Sequence, residues 1–277
     1  MDTKSLKTSV VDSYSKLATL SQKTAFSKLF ACCDTGANPS LIGEKIGYSS
    51  EELEAVPEGS NLGVGCGNPS ALAKIQKGET VIDLGSGAGF DAFLVSPIVG
   101  DSGKVIGIDL SEEMLELARK NSKQGQFANV EFLKGDIEAL PLQEEIADHI
   151  ISNCVINLSI NKAEVYKEAY RVLKNGGKIS ISDIVLEKDL PDFIKNSQAA
   201  HIACIAGAEK LEDYLGYVRA AGFQDIRIEG KQSFPLEVML LDPQLQQLAR
   251  ELNFDMNSQE VKELASRVSS ISLSARK

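Results

Sequence analysis

Three cysteines in distinctive settings, and a set of acids at strand ends, are the residues of this chain best suited to chemistry. Cys66 lies in Asn61-Leu-Gly-Val-Gly-Cys66-Gly-Asn-Pro69, flanked by glycines in a loop that offers its thiol no core to join. Cys154 ends the apolar run Ile150-Ile-Ser-Asn-Cys154, and Cys204 lies in His201-Ile-Ala-Cys204-Ile-Ala-Gly207. A free cysteine commonly packs as a small hydrophobe, which is a sufficient account of Cys154 or Cys204 taken singly. Their positions change the weighing. Cys66 precedes the first strand of an alternating pattern by a short loop, Cys154 ends the fourth strand, and Cys204 follows the fifth, so all three can fold over one cleft. Three thiols around one cleft suit a soft, thiophilic substrate. None belongs to a Cys-x-x-Cys pair, which argues against a zinc knuckle, and no structural metal is expected.

The acids surround a glycine-rich loop, Val81-Ile-Asp83-Leu-Gly85-Ser-Gly87-Ala-Gly89-Phe90. Its glycines let the backbone turn tightly and approach a ligand, and the helix that follows offers its N-terminus to an anionic group. A dinucleotide fingerprint would need glycine where Phe90 stands, so a different nucleoside cofactor is expected. Asp109 closes the second strand, 26 residues after Asp83, where a carboxylate can take both ribose hydroxyls. Gly135-Asp136-Ile137 closes the third strand; there the acid can accept from an adenine amino group while Ile137 packs on the ring. Leu110, beside Asp109, and Asn153, at the end of the fourth strand, complete the candidate cofactor set. One acid at a strand end is commonly just solvated. Three in register mark the edge at which open α/β sheets bind ligands.

Strand–helix alternation positions these groups. Strands are expected at Thr80–Leu84, Lys104–Asp109, Asn129–Leu133, Ala147–Asn153 and Lys178–Ser182. Helices are expected over 89–98, from a Ser111 cap to about Lys123, and from Lys162 to Leu173, closed by Asn175-Gly176-Gly177. This predicts an α/β, Rossmann-like, doubly wound parallel sheet. Residues 4–31 read as one or two helices. Residues 32–70 read mostly as loop, with one short helix starting at Ser49 or Ser50. Glu209 to Ala221 reads as a helix. Gln224–Glu229 and Val268–Ala275 read as strands forming a hairpin-like edge, with a longer, partly helical insert over 230–266 between them. The expected organisation is an N-terminal helical arm or lid (1–60), a cofactor-binding core (61–185), and a substrate lid that completes the sheet as a small C-terminal cap (186–277).

The chain has 277 residues, enough for one or two domains, and a net charge of -10 from 29 basic and 39 acidic residues. That balance argues against a nucleic-acid partner. No apolar stretch suits a signal peptide or a membrane span. The expected setting is the cytoplasm, where the five cysteines stay reduced, and their odd number speaks against a closed disulfide framework. A monomer is the default expectation.

From Asp83 to Gly89, at Asp109 and at Asp136-Ile137, the chain resembles the class I S-adenosylmethionine-dependent methyltransferases over roughly residues 75–185. The stretches Asn61–Pro69, Ile151-Ser-Asn-Cys154-Val-Ile-Asn157-Leu and Cys204-Ile-Ala-Gly207-Ala narrow the likeness. They resemble the arsenite methyltransferase family, over about residues 60–230. The resemblance implies methyl transfer from S-adenosylmethionine to trivalent arsenic, giving methylated arsenicals, with Cys66, Cys154 and Cys204 as the thiolates that hold arsenic. It also implies an external thiol reductant (glutathione or thioredoxin) and redox pairing of Cys66 with Cys32 or Cys33. Tyr14 resembles a tyrosine of an N-terminal arm that packs over the cofactor, although Ser15 replaces the glycine that follows it in the family. Arsenic carries no proton to remove, so no general base is needed; His149 is expected to be structural, and His201 stands near Cys204. Two other readings remain open. One is a methyltransferase of a small organic acceptor of the quinone or sterol type, with the cysteines as packing. The other is a non-catalytic protein that binds trivalent arsenic or antimony.

Overall fold

The computed structural model describes residues 3–27, 39–235, 238–239, 246, 250, 255 and 258–277. The elements run α1 (Thr3–Ser27), α2 (Pro39–Lys45), α3 (Ser50–Glu54), α4 (Pro69–Leu72), β1 (Thr80–Leu84), α5 (Phe90–Val99), β2 (Lys104–Asp109), α6 (Glu112–Gly125), β3 (Val130–Lys134) and β4 (Ala147–Asn153). They continue with α7 (Lys162–Val172), β5 (Leu173–Leu186), α8 (Asp192–Lys195), α9 (Gln198–Ile202), α10 (Leu211–Ala220), β6 (Gln224–Ser233), α11 (Gln259–Ala265) and β7 (Val268–Arg276). Among the described residues, no helix is long and apolar enough to cross a membrane.

β1 and β4 are near-continuous apolar runs because both of their faces are covered. Val81, Ile82, Leu84, Ile150 and Ile151 are all buried. One seven-stranded sheet results, in the order β3-β2-β1-β4-β5-β7-β6. β1 pairs in parallel with β2 and β4, β2 with β3, and β4 with β5. β7 then lies antiparallel between β5 and β6. On one face Ile82, Ile108, Ile150 and Ile181 pack against Tyr166 of α7 and Tyr214 of α10. On the other, Val81, Val105 and Ile151 pack against Phe93 of α5 and Leu115 of α6. Strand order reverses between β1, which continues to β2, and β4, so the connections diverge there and open a crevice at the C-terminal edge.

Local signals account for most of the boundaries. Ser111 caps α6 by accepting from the Met114 N–H at 3.2 Å. Ser49 and Glu52 form a reciprocal capping box on α3. Elsewhere tertiary burial prevails over composition. α2 forms inside the stretch that reads as loop, because Ile42, with Ile46 and Tyr48 just beyond the helix, is buried in an apolar cluster. The four-residue α4 is a further departure, capped by Asn68 accepting from the Ala71 N–H at 3.0 Å. The helix before Asn175-Gly176-Gly177 ends at Val172, earlier than those glycines suggest. β5 runs on to Leu186, four residues past the expected end, and β6 to Ser233, so residues 230–233 are strand and not insert. In both cases pairing with β7 holds the extension in place.

α1 is a single helix laid against α6 and α9. Ala18 is buried among Ala88, Met114 and Leu117. Ser15 donates to Glu113 at 2.6 Å, Tyr14 donates to the Ile202 carbonyl at 3.4 Å, and Lys7 Nζ bridges Asp136 at 2.8 Å and Glu138 at 2.6 Å.

His149 is part of the sheet's interior, its Nε2 3.0 Å from Ser180 Oγ. Burial first, and then the charge of Lys178, lower its pKa from 6.5 to about 4. Folding therefore favours neutral imidazole, and that contribution, full above pH 6.5, is lost as pH falls toward 4. Between pH 7 and pH 4, the wild type is expected to lose about 3 kcal/mol more unfolding free energy than His149→Gln. Urea unfolding of both proteins at the two pH values measures the difference.

Candidate active site

The loop from β1 to α5 turns on glycines at two demanding positions. Gly85 has φ +69°, its N–H donates to the Ile108 carbonyl at 2.8 Å, and a Cβ there would lie 2.6 Å from Val155 Cβ. Gly89 has φ +93°, and a Cβ would strike the rings of Phe93 and Phe132. Gly89 thus serves the packing of α5 and stands off the cavity wall, whereas Gly85 and Gly87 line it. The Gly87 N–H donates to Asp109 Oδ2 at 2.9 Å, and the Ser111 N–H to Asp109 Oδ1 at 2.9 Å. The Leu110 N–H also hydrogen-bonds this carboxylate, which the backbone thus fixes at the cavity wall.

The cavity over this edge measures about 610 Å³, within the range of small-molecule sites. Asp83, Asp109, Leu110, Asp136, Ile137 and Asn153 all line it. Asp83 is buried and its Oδ2 has no hydrogen-bond partner among the described residues. Burial, reinforced by Asp91 and Asp109, raises its pKa well above the usual carboxylate range. A buried carboxylate oxygen without a partner at a cavity wall fits a ligand that brings a donor or a positive charge. Asp136 accepts from the Glu138 N–H at 3.0 Å and from Lys7 of α1. Tyr14 also lines the cavity.

The thiols lie deeper. Cys66 is only 1% exposed and does have a core to join: Ile42, Ile46, Tyr48, Leu94 and Ile184 surround it in one apolar cluster with Cys154 and Cys204. This corrects the reading of its loop as one without a core, and the cause is the folding of α2 against it. The Asn153 carboxamide clamps the loop. Its oxygen accepts from the Cys66 N–H at 3.0 Å, and its amide donates to the Gly67 carbonyl at 2.9 Å. Ser270 of β7 donates to the Cys66 carbonyl at 2.6 Å. Cys154 and Cys204 line the cavity, and both hold left-handed backbone, with φ +58° and +62°. Such a conformation in a non-glycine residue costs roughly 1–3 kcal/mol.

The sulfurs of Cys66 and Cys154 and a carboxylate oxygen of Asp183 lie within 4.8 Å of one another. Cys204 is one step away, its thiol donating to the Cys154 carbonyl at 2.9 Å. The structure therefore gathers two of the three expected thiols with an acid that the sequence reading passed over. The sign of it was there: Asp183 interrupts the apolar run Ile179-Ser-Ile-Ser-Asp183-Ile-Val185 at the ligand edge, one residue beyond the expected strand. Burial raises Asp183 to about 6 and the Cys66 thiol to about 11, the latter opposed by its contact with Cys154. For Cys154 the hydrogen bond with Cys204 lowers the pKa, but Cys66 and burial outweigh it and the thiol stays well above its usual range. His201 contacts the Leu158 carbonyl at 3.2 Å through Nε2. Cys32 and Cys33 lie outside the described residues.

A five-stranded parallel sheet closed by an antiparallel β7–β6 edge, with acids and a glycine loop at the crevice, defines the Rossmann-like fold of class I methyltransferases. Residues 75–233 match a family model described as "Methyltransferase domain", more than half of the chain, and the chain belongs to that family. It is 43% identical to an arsenite methyltransferase of Halobacterium salinarum over 72% of this chain and 51% of that one. It is 35% identical to an arsenite methyltransferase of Aquipseudomonas alcaligenes over 75% of this chain and 60% of that one. The crystal structure of an arsenic (III) S-adenosylmethionine methyltransferase from Chlamydomonas reinhardtii aligns with a TM-score of 0.61 at 28% identity, covering 87% of this chain and 74% of that one. The chain spans about half the length of the curated relatives it matches.

Replacing Asn153 by Ala leaves the Cys66 N–H and the Gly67 carbonyl without their partner. The expected result is a loss of roughly 1–3 kcal/mol of stability. Local opening exposes the thiol, so Cys66 should also be alkylated faster, which mass spectrometry of the labelled peptide reads directly.

Proposed function

We propose that the protein transfers the methyl group of S-adenosylmethionine to trivalent arsenic held by Cys66, Cys154 and Cys204. The observation that carries this reading is the meeting of the Cys66 and Cys154 sulfurs beside Asp183, with Cys204 one hydrogen bond away, at a nucleoside-sized cavity. The names of the relatives support the same substrate and methyl donor. The N-terminal arm, the cofactor core and the C-terminal lid divide the work as residues 1–60, 61–185 and 186–277.

Residues of the upper cavity fit the cofactor. Asp109 would take the ribose, Asp136 and Ile137 the adenine, with Leu110 against it, and the partnerless oxygen of Asp83 suits a ligand bearing a cation. When bound, S-adenosylmethionine supplies an electrophilic sulfonium methyl.

The thiols do the rest. With Cys66 near 11 and Cys154 also raised, both are protonated at neutral pH, so the apolar cluster holds no buried thiolate charge before substrate arrives. Neutral arsenous acid matches that state. Each sulfur–arsenic bond forms as a thiol proton leaves with an arsenic hydroxyl as water, so loading neither takes up nor releases protons. Cys204 must turn its thiol from the Cys154 carbonyl toward the pair to supply the third sulfur. Arsenic keeps its lone pair, which becomes the bond to methyl, and no side chain has to remove a proton. Methylation raises the formal oxidation state of arsenic by two. Those two electrons return when two cysteines pair as a disulfide, which an external thiol such as glutathione or thioredoxin then reduces. Cys32 or Cys33 is the candidate partner of Cys66 in that step.

The test follows transfer of labelled methyl from S-adenosylmethionine to arsenite in the presence of a thiol. Cys154→Ser and Cys204→Ser are expected to lose at least about a hundredfold in turnover while cofactor binding is retained. Cofactor binding without any methylated arsenic would overturn the reading and direct the search to small organic acceptors. Arsenite affinity is expected to be flat across neutral pH, because loading is proton-neutral; a steep rise with pH would show that free thiolates, and not thiols, receive the substrate.

A further inference from the structure

Asp183 has no task in holding arsenic. Arsenic bound to three sulfurs is neutral and three-coordinate, and it needs no carboxylate ligand. Yet Asp183 is fully buried, faces two thiols, and is oriented by three hydrogen bonds. Its Oδ1 accepts from Asn157 Nδ2 at 2.8 Å and from the Ile184 N–H at 2.9 Å, and its Oδ2 accepts from the Tyr214 hydroxyl at 2.8 Å. These donors fix the carboxylate, and one of its oxygens lies within 4.8 Å of both the Cys66 and the Cys154 sulfur. Hydrogen-bonded carboxylates fixed in this way are the pattern of metal ligands supported by an outer shell.

We propose that Cys66, Cys154 and Asp183 form a binding site for a soft divalent cation of the zinc and cadmium class, which competes with arsenic for the two thiols. Donor identity fits: two sulfurs and one carboxylate oxygen are ligands that this class accepts together. Distance fits as well. A tetrahedral centre with metal–sulfur bonds near 2.3 Å separates its sulfurs by roughly 3.8 Å. The three donor atoms here lie within 4.8 Å, so closure needs movements of about 1 Å at most. Coordination number discriminates between the two occupants: trivalent arsenic is satisfied by three sulfurs, whereas two thiolates balance the charge of a dication but leave its tetrahedral shell open, and Asp183 supplies a third donor. Binding sends the two thiol protons to solvent and involves no electron transfer. The Cys204 sulfur, already hydrogen-bonded to the Cys154 carbonyl, or a water completes the fourth position. The proposal shares its thiols with the arsenic site but does not require methyl transfer.

The reduced 277-residue protein is titrated with cadmium, followed by ultraviolet sulfur-to-metal absorbance, in a Cys32→Ser, Cys33→Ser background that removes the vicinal pair. One cadmium per chain is expected. Asp183→Asn should weaken cadmium binding at least about tenfold, Asp183→Glu should recover part of the loss, and arsenite affinity should stay within about twofold in both. Equal cadmium affinity in wild type and Asp183→Asn, or no cadmium bound by the wild type, would overturn the proposal. Should Asp183→Asn fail to fold, X-ray absorption of the wild-type cadmium complex decides: a mixed sulfur–oxygen shell is expected, and an all-sulfur shell overturns it. Cadmium binding without arsenic methylation would remove the preceding reading and leave this one. Methylation without cadmium binding would do the reverse.

Discussion

The carboxamide of Asn153 joins four segments that are far apart in sequence. It accepts from the Cys66 N–H and donates toward the Gly67 carbonyl, the Tyr48 hydroxyl at 2.9 Å and the Asp91 carboxylate at 3.2 Å. Tyr48 in turn donates to Asp91 at 2.6 Å. The end of β4, the start of α5, the segment after α2 and the Cys66 loop therefore meet on one side chain. All of these partners are buried or nearly so, where an unmet polar group is expensive, and the network holds only if every member is in place. Cys154 follows Asn153 directly, so the clamp that seats the Cys66 loop also sets the start of the left-handed turn that carries the second thiol.

Acids stand on both sides of that clamp, Asp83 toward the glycine loop and Asp183 among the thiols in an otherwise apolar floor. Asp83, Asp91 and Asp183 are all buried with raised pKa values, and burial is the leading cause in each. The acid-lined upper part suits a cofactor that bears positive charge. The apolar lower part, with its neutral thiols, suits an uncharged acceptor.

The strands that carry the acids were legible because parallel strands buried on both faces read as plain apolar runs, and β1, β2 and β4 begin and end where the pattern places them. Glycine spacing and the Ser111 cap located the loop and α6 just as directly. What stayed hidden depended on contacts between distant segments. α2 has the composition of a loop and is helical because Ile42 is buried against the thiol cluster. The extra length of β5 comes from β7, more than 80 residues later in the chain. Asp183 fell just outside an expected strand that was too short. The cysteines themselves were legible as a group, since each adjoins the same edge of the sheet. Their left-handed backbone, and the turn of Cys204 toward a carbonyl, arise from tertiary constraint that no local pattern carries.

α1 roofs the cavity through contacts quite unlike those of its floor. Lys7, Asp136 and Glu138 keep side-chain exposures of 27%, 31% and 14%. Charges that reach solvent to this degree are screened by mobile ions. The thiol cluster beneath is held mainly by buried apolar side chains. Ionic strength thus acts on the two halves of the site unequally. Salt weakens the hold of Lys7 on Asp136 and Glu138 more than it does the apolar packing of the floor, so the surrounding electrolyte tunes how firmly α1 sits over the cavity.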